Sequence, residues 1–310
     1  MTLLMSLFGN DYTILVSDRR LTSGSKILDD EYNKAATIVL EDATLACAFT
    51  GLATFGNFST QEWLLDGLFD SAPPDFLSIP TLNRFKEKIS LQFSNNKDLQ
   101  KLSLDSKKLA ILFAGYHFTN TDSYPVGAII TNFSGFSGPN DLPFQPNDFV
   151  LREIIVNLAS TRVGYAGAWG AVKNSDIKPL NDMLIAGKRP NAVLNMAVKV
   201  FDDISLRSSS HDKVGRQLSS ITIYANRYTP SESQYHVKKS SPIFYQSNVA
   251  ILKSNMQFMT KKGMVFSSNI EGEPILDSPP IVVPKVHRNA QCPCGKKIRY
   301  RNCHGRVKFK

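Results

Sequence analysis

The chain opens on an apolar run, Leu3-Leu4-Met5-Ser6-Leu7-Phe8, breaks at Gly9-Asn10-Asp11 and resumes with Tyr12-Thr13-Ile14-Leu15-Val16. Two short apolar runs on either side of such a turn predict an antiparallel hairpin over residues 2–8 and 12–17. A second hairpin is predicted from residues 35–41 and 44–49, turning at Asp42-Ala43. The pattern then becomes helical. Ser59-Thr60-Gln61-Glu62 is a capping box, and Trp63, Leu64, Leu65, Leu68 and Phe69 follow it as one apolar face. Leu82, Phe85, Ile89 and Leu91 predict a second helix over residues 81–93. Strand patterns return at residues 109–118 and 126–133, and residues 134–148, rich in Gly, Pro, Asn and Ser, read as a loop. Residues 162–169 read as a short buried strand with glycines. Pro190 opens a strong helix whose Val193, Met196, Ala197, Val200, Phe201 and Ile204 share a face. Residues 219–225 and 234–237 form a closing strand pair. Strands, two helices, strands, a helix and strands are satisfied by an α+β fold: two antiparallel sheets packed face to face with helices outside.

No internal repeat is present. Residues 267–285 carry Pro274, Pro279, Pro280 and Pro284 with few large residues, which is linker composition. The expected organisation is a body over residues 2–245, an extension and Pro-rich linker over 246–285, and a tail over 286–310. No apolar run reaches the ~18 to 20 residues of a membrane span. The first eight residues are too short for a signal-peptide core and lack a basic lead. A cytoplasmic protein is the expectation. Cys47, alone in an apolar strand pattern, reads as an inert core residue.

Charge changes this picture in one place. The 310-residue chain carries a net charge of +9, yet nine of its Lys and Arg lie between Lys285 and Lys310, where there is no Asp or Glu. The remaining 27 basic residues are balanced by 27 acidic ones. A neutral body with a basic tail suggests docking to something acidic: a protein partner first, with a nucleic-acid backbone or a membrane surface ranked behind it.

The tail also concentrates metal-ligand chemistry. Cys292, Cys294, Cys303 and His304 make a complete tetrahedral set of three thiolates and one imidazole, suited to structural zinc. So small a segment has almost no core, so metal binding would supply its folding energy. The other readings are a metal-free, redox-labile cysteine cluster and an RNA-binding knuckle, for which Tyr300 is the one stacking platform between the ligands. The ligand spacing, with Arg288-Asn289, Tyr300 and Gly305 around it, resembles the SEC-C motif of the preprotein translocase ATPase. That resemblance implies an adaptor for an acidic partner such as a chaperone, or for a membrane surface.

The other candidate chemistry is at the start. Thr2 follows Met1, and threonine is small enough there for methionine aminopeptidase to remove Met1. The new α-amine, with an unperturbed pKa of ~7.7 to 8.0, can serve as base for its own hydroxyl. It needs a nearby cation and an N–H donor for the oxyanion. The run Ile14-Leu15-Val16-Ser17-Asp18-Arg19-Arg20-Leu21-Thr22, the later Lys34 and the turn Ala48-Phe49-Thr50-Gly51-Leu52-Ala53 resemble proteasome β-subunits, a family of N-terminal-nucleophile (Ntn) hydrolases. Asp18, Arg20 and Lys34 stand at that family's spacings from Thr2 without a gap. The resemblance implies a four-layer αββα sandwich, with Asp18 holding Lys34, Lys34 lowering the amine pKa of Thr2, and the Gly51 N–H receiving the oxyanion. It also implies a peptide substrate and assembly into homo-oligomers.

Further along, the chain departs from that family. Val163-Gly164-Tyr165-Ala166-Gly167 sits where the family has a Gly-Ser-Gly turn, with Tyr165 replacing the serine. In His211-Asp212-Lys213-Val214-Gly215, Asp212 fits the family's Asp-x-x-Ser but Gly215 replaces the serine. The resemblance implies two functions: an N-terminal-threonine amidohydrolase, a proteasome-like peptidase, with a zinc tail that recruits partners or substrates; or a catalytically inactive Ntn-fold adaptor working through that tail. Taken singly, Asp18 and Arg20 read equally well as a surface ion pair, Lys34 as a solvated turn residue and Gly51 as a tight turn.

Overall fold

The computed structural model describes residues 2–23, 26–133, 144–154, 162–207, 213–236, 243–244, 248–254, 256–261 and 264–267. The chain divides into two units, Met1–Ser268 and Asn269–Lys310. The second unit, with the expected zinc ligands Cys292, Cys294, Cys303 and His304, lies outside the described residues, as does Asp212.

The first unit begins with strands β1 (Leu3–Phe8), β2 (Tyr12–Asp18), β3 (Leu21–Ser23), β4 (Lys26–Asp29), β5 (Ala35–Val39), β6 (Ala43–Gly51), β7 (Thr54–Phe55) and β8 (Phe58–Ser59). Helices α1 (Thr60–Phe69) and α2 (Ser78–Asn95) follow, then β9 (Leu109–Phe118), β10 (Ser123–Thr131), β11 (Val150–Ile154) and β12 (Val163–Gly167). Helices α3 (Asn174–Ile185) and α4 (Pro190–Ser205) precede β13 (Leu218–Tyr224), β14 (Glu232–His236) and β15 (Ile243–Phe244). The last strands are β16 (Asn248–Lys253), β17 (Met256–Lys261) and β18 (Met264–Ser267).

Two large sheets result, in the orders β12-β1-β2-β13-β14-β15 and β11-β10-β9-β6-β5-β16-β17-β18. Helices α3 and α4 cover the first sheet and α1 and α2 the second, giving the expected αββα sandwich. The central strands β1, β2 and β9 are buried on both faces, which is why they read as unbroken apolar runs rather than as alternation. The layers differ in side-chain size. Between the sheets lie Ala35, Ala46, Ala48, Ala110 and Ala166 among larger residues such as Leu4, Leu112 and Tyr116, whereas Phe85 and Phe93 of α2 pack with Phe49, Phe113 and Phe149 over the second sheet. Small residues let the sheets approach; aromatic ones fill the wider gap under the helices.

The predicted helix start at Ser59 is present, its hydroxyl accepting the Glu62 N–H. Four features depart from expectation. Helix α3 was missed because Pro179 lies inside it and removes one backbone donor. The short hairpin β3–β4 was not anticipated. The body does not stop at residue 245, because β16 to β18 extend the second sheet through residues that read as an extension and linker. Nor is every pair antiparallel: β16 runs parallel to β5, with Asn248 opposite Ala36 and Ile251 opposite Val39.

Phe85 is fully buried and stacks on Trp63 at 5.3 Å between ring centroids. Phe85→Ala is expected to lower stability by about 3–5 kcal/mol, measured as the shift of the urea unfolding midpoint.

Candidate active site

Thr2 lies just before β1, and its carbonyl is fixed from two directions. It accepts the Ala168 N–H at 3.0 Å and the Thr50 hydroxyl at 2.9 Å. These bonds bring the ends of β12 and β6 against the start of β1. Glycine is required at each strand end, at Gly167 by the approach to Thr2 and at Gly51 by the approach to Lys108. Gly167 has φ +90°, and a Cβ there would lie 1.8 Å from the Thr2 carbonyl oxygen. Gly51 has φ +103°, and a Cβ there would lie 2.1 Å from the Lys108 carbonyl oxygen.

Lys34, immediately before β5, reaches into this junction. Its Nζ hydrogen-bonds the Thr2 hydroxyl, the Asp18 carboxylate at 3.1 Å and the Arg20 carbonyl. The three N–H donors of an ammonium are thereby all used. Asp18, at the end of β2, also accepts the Leu3 N–H at 2.7 Å and the Arg20 N–H at 2.9 Å. The group is shielded from solvent: Thr2 is 6% exposed, and the side chains of Lys34 and Asp18 are 2% and 0% exposed. Burial pushes the Lys34 amine below its usual range, against the pull of Asp18, while Arg20 adds to the lowering. Burial likewise raises the Asp18 carboxyl, opposed by Lys34 and the two backbone N–H groups.

Thr2, Asp18 and Lys34 thus meet, and Gly51 directly follows Thr50, which touches Thr2. Arg20 enters differently from expectation: its backbone contributes one donor and one acceptor, while its guanidinium pairs with Asp30 at 2.7 Å. Tyr165 is not the residue at Thr2. It pairs with Met5; Gly167 is opposite Leu3, and Ala168 is the residue whose N–H meets the Thr2 carbonyl. At Gly215 a Cβ would lie 2.8 Å from the Arg20 Cβ, so a serine would require one of them to shift.

Sequence reasoning missed Arg19 and Thr50. Arg19 clamps the segment leading to Lys34: its N–H donates to the Gln217 carbonyl at 2.9 Å, its carbonyl accepts the Tyr32 N–H at 3.0 Å, and its guanidinium bonds the Glu31 carbonyl. The guanidinium also covers the Tyr235 ring at 3.9 Å. In sequence Arg19 is one of two adjacent arginines, and no local signal separates the clamp from the neighbour that pairs at the surface. Thr50 carries no motif of its own beyond preceding Gly51.

No family model matches the chain. A 45-residue stretch at the C-terminal tail is 47% identical to the protein translocase subunit SecA of Acinetobacter baylyi, covering 14% of this chain and 5% of that protein. The chain is thus matched to only a small part of that relative's length. Among solved structures, the chain is similar to the helical assembly of the Anbu complex from Pseudomonas aeruginosa: 14% identity, 77% of this chain and 88% of that one, TM-score 0.46. It is similar to Anbu from Hyphomicrobium sp. strain MC1 at 9% identity over the same shares, TM-score 0.46. Anbu (ancestral beta-subunit) from Yersinia bercovieri gives 14% identity, 72% and 81% coverage and a TM-score of 0.43. These findings correct the assignment to proteasome β-subunits with a C-terminal SEC-C motif: the similar structures are Anbu proteins, and the tail's link reduces to the short SecA match.

A pH prediction follows from Lys34. Between its lowered folded value and the ~10.4 of an exposed lysine, the unfolded chain binds more protons than the folded one at this group. Stability contributed by Lys34 therefore rises with pH through that window. Urea unfolding at intervals up to pH 10 should show this rise in the native protein and a flatter profile in Lys34→Met.

Proposed function

We propose that the protein is an amide-bond hydrolase in which Thr2, exposed by removal of Met1, is the nucleophile. The observation that carries this reading is the buried contact of the Lys34 amine with the Thr2 hydroxyl, backed by Asp18. Lys34 in its neutral form keeps two donors for Asp18 and the Arg20 carbonyl and turns a lone pair toward Thr2 Oγ1. It accepts the hydroxyl proton as Oγ1 attacks the substrate carbonyl, and the Gly51 N–H receives the oxyanion. The leaving amine takes up that proton from the Lys34 ammonium, leaving an acyl ester on Thr2. Water, deprotonated by the same groups, releases the acid and restores the hydroxyl. Asp212 would hold the Thr2 ammonium. Peptides are the substrate class, with self-association and a cytoplasmic location belonging to the same proposal.

The tail is proposed to bind one zinc ion through Cys292, Cys294, Cys303 and His304, a donor set that suits a closed structural site. Its basic surface would recruit an acidic protein. A second reading, an inactive adaptor on the same fold, is favoured by Ala168 and Gly215, neither of which offers a side-chain hydroxyl near Thr2.

Intact mass of protein produced without an N-terminal tag should lack Met1, and a β-lactone probe should add once, to Thr2. Thr2→Ala should abolish labelling. Lys34→Arg, which keeps the charge but cannot act as a base, should slow it by at least about 100-fold. Retained Met1 would remove the hydrolase reading and leave the adaptor. For the tail, elemental analysis should give one zinc per chain, lost on Cys292→Ser/Cys303→Ser substitution while the melting temperature of the body is unchanged.

A further inference from the structure

Lys34 needs an acceptor besides Asp18, and the link between β2 and β3 supplies it: the carbonyl of Arg20. The direction of that carbonyl is set at the Arg20 Cα, whose other substituents are held. The Arg20 N–H donates to Asp18 Oδ1 at 2.9 Å, the oxygen that also meets Lys34 Nζ at 3.1 Å. The guanidinium engages both oxygens of Asp30, Nε to Oδ1 at 2.7 Å and Nη2 to Oδ2 at 3.4 Å. Gly215 lies against the same residue, so Arg20 has little room to shift on that side.

Asp30 directly follows β4 and is presented by the β3–β4 hairpin. That hairpin pairs Leu21 with Asp29, Thr22 with Ile27 and Ser23 with Lys26, with a register shift between Leu21 and Thr22. Such an irregularity bends the strand just after it leaves Arg20. Strand β4 is exposed along its length, so core packing does not hold it. The Arg20–Asp30 pair joins the two ends of the hairpin instead, and a two-point guanidinium–carboxylate contact fixes orientation as well as distance. Asp30 is exposed while Lys34 is buried, and Arg20 connects them. An ion pair with one exposed partner adds little to global stability, so its removal disturbs position rather than folding.

We propose that Asp30 is a positioning residue for Lys34: through the Arg20 guanidinium it aims the Arg20 carbonyl at Lys34 Nζ, and so sets where that amine stands against Thr2 Oγ1. The consequence for catalysis rests on the hydrolase reading; the placement of Lys34 does not. The charged groups that act on Lys34 are Asp18 from β2 and Asp29 from β4, which favour the ammonium, and Arg20 from the β2–β3 link, which opposes it. Without Asp30 the Arg20 charge is uncompensated and its carbonyl is free to turn away. Both changes disfavour the ammonium, so Lys34 gives up its proton at lower pH.

The test observes Lys34 directly. Full-length protein carries lysine labelled with carbon-13 at Cε, the signal missing from Lys34→Met is assigned to Lys34, and its pH titration is followed by NMR. Asp30→Ala should move the titration to lower pH, and the isosteric Asp30→Asn should move it the same way. Asp70→Ala, which removes an exposed pair with Lys88 of α2, should leave it in place. Addition of the β-lactone to Thr2 should slow about tenfold in Asp30→Ala. The double variant Arg20→Met/Asp30→Ala should be no slower than Arg20→Met alone, because the two residues act along one path. A Lys34 titration unchanged in both Asp30 variants overturns the proposal, whether or not Thr2 reacts. So do additive losses in the double variant. A shifted titration in protein whose Thr2 never labels supports the positioning role and counts against the hydrolase reading alone.

Discussion

A lysine and an aspartate held out of water govern the N-terminal end of this molecule. Removing both charges from solvent costs several kcal/mol per ion unless each finds partners, and here each does. Asp18 collects two backbone N–H groups besides Lys34; Lys34 collects a carboxylate, a carbonyl and the Thr2 hydroxyl. The cost explains the surrounding architecture. The Arg20 peptide is turned so that both its N–H and its carbonyl serve the pair, and Arg19 ties down the segment that delivers Lys34. Loss of one of these contacts would leave a buried charge incompletely satisfied, so the geometry around Thr2 is far more constrained than an exposed hydroxyl would be.

The sandwich makes such a site possible. Sheets packed through alanines come close enough for β6 of one sheet to touch the start of β1 in the other, and the Thr50 hydroxyl bridges that gap to the Thr2 carbonyl. Close approach also dictates Gly51 and Gly167, where a methyl group would meet a backbone carbonyl oxygen. The same backbone economy shapes what the site lacks. Ala168 presents no hydroxyl beside Thr2, and the space at Gly215 is taken by Arg20.

Strand β6 connects two chemically different ends. At Thr50 it bonds the residue that meets a buried ion pair; near Leu45 it borders an apolar cavity. The Asp42–Ser78–His117 arrangement ties the β5–β6 turn to the first turn of α2. The aromatic packing of Trp63, Phe85, Phe58 and Phe93 then carries that helix along the sheet.

The sequence by itself determined the first hairpin, the start of α1 at Ser59, the face of α4 and the layered class of the fold, because these depend on local turn chemistry and hydrophobic period. It also singled out Thr2, Asp18 and Lys34, whose spacing is preserved along two adjacent strands and the loop that follows. Tertiary structure alone decided the rest. Helix α3 survives Pro179 because packing of Leu180 and Leu184 against the first sheet outweighs one lost hydrogen bond. Strands β16 to β18 exist because β5 offers an open edge, which no local pattern records. Ala168 rather than Tyr165 stands beside Thr2 because register between β1 and β12 is fixed by pairing across more than 150 residues of chain. Arg19 and Arg20 are neighbours of identical chemistry, and only their partners separate them: the Glu31 carbonyl and the Tyr235 ring for Arg19, the Asp30 carboxylate for Arg20.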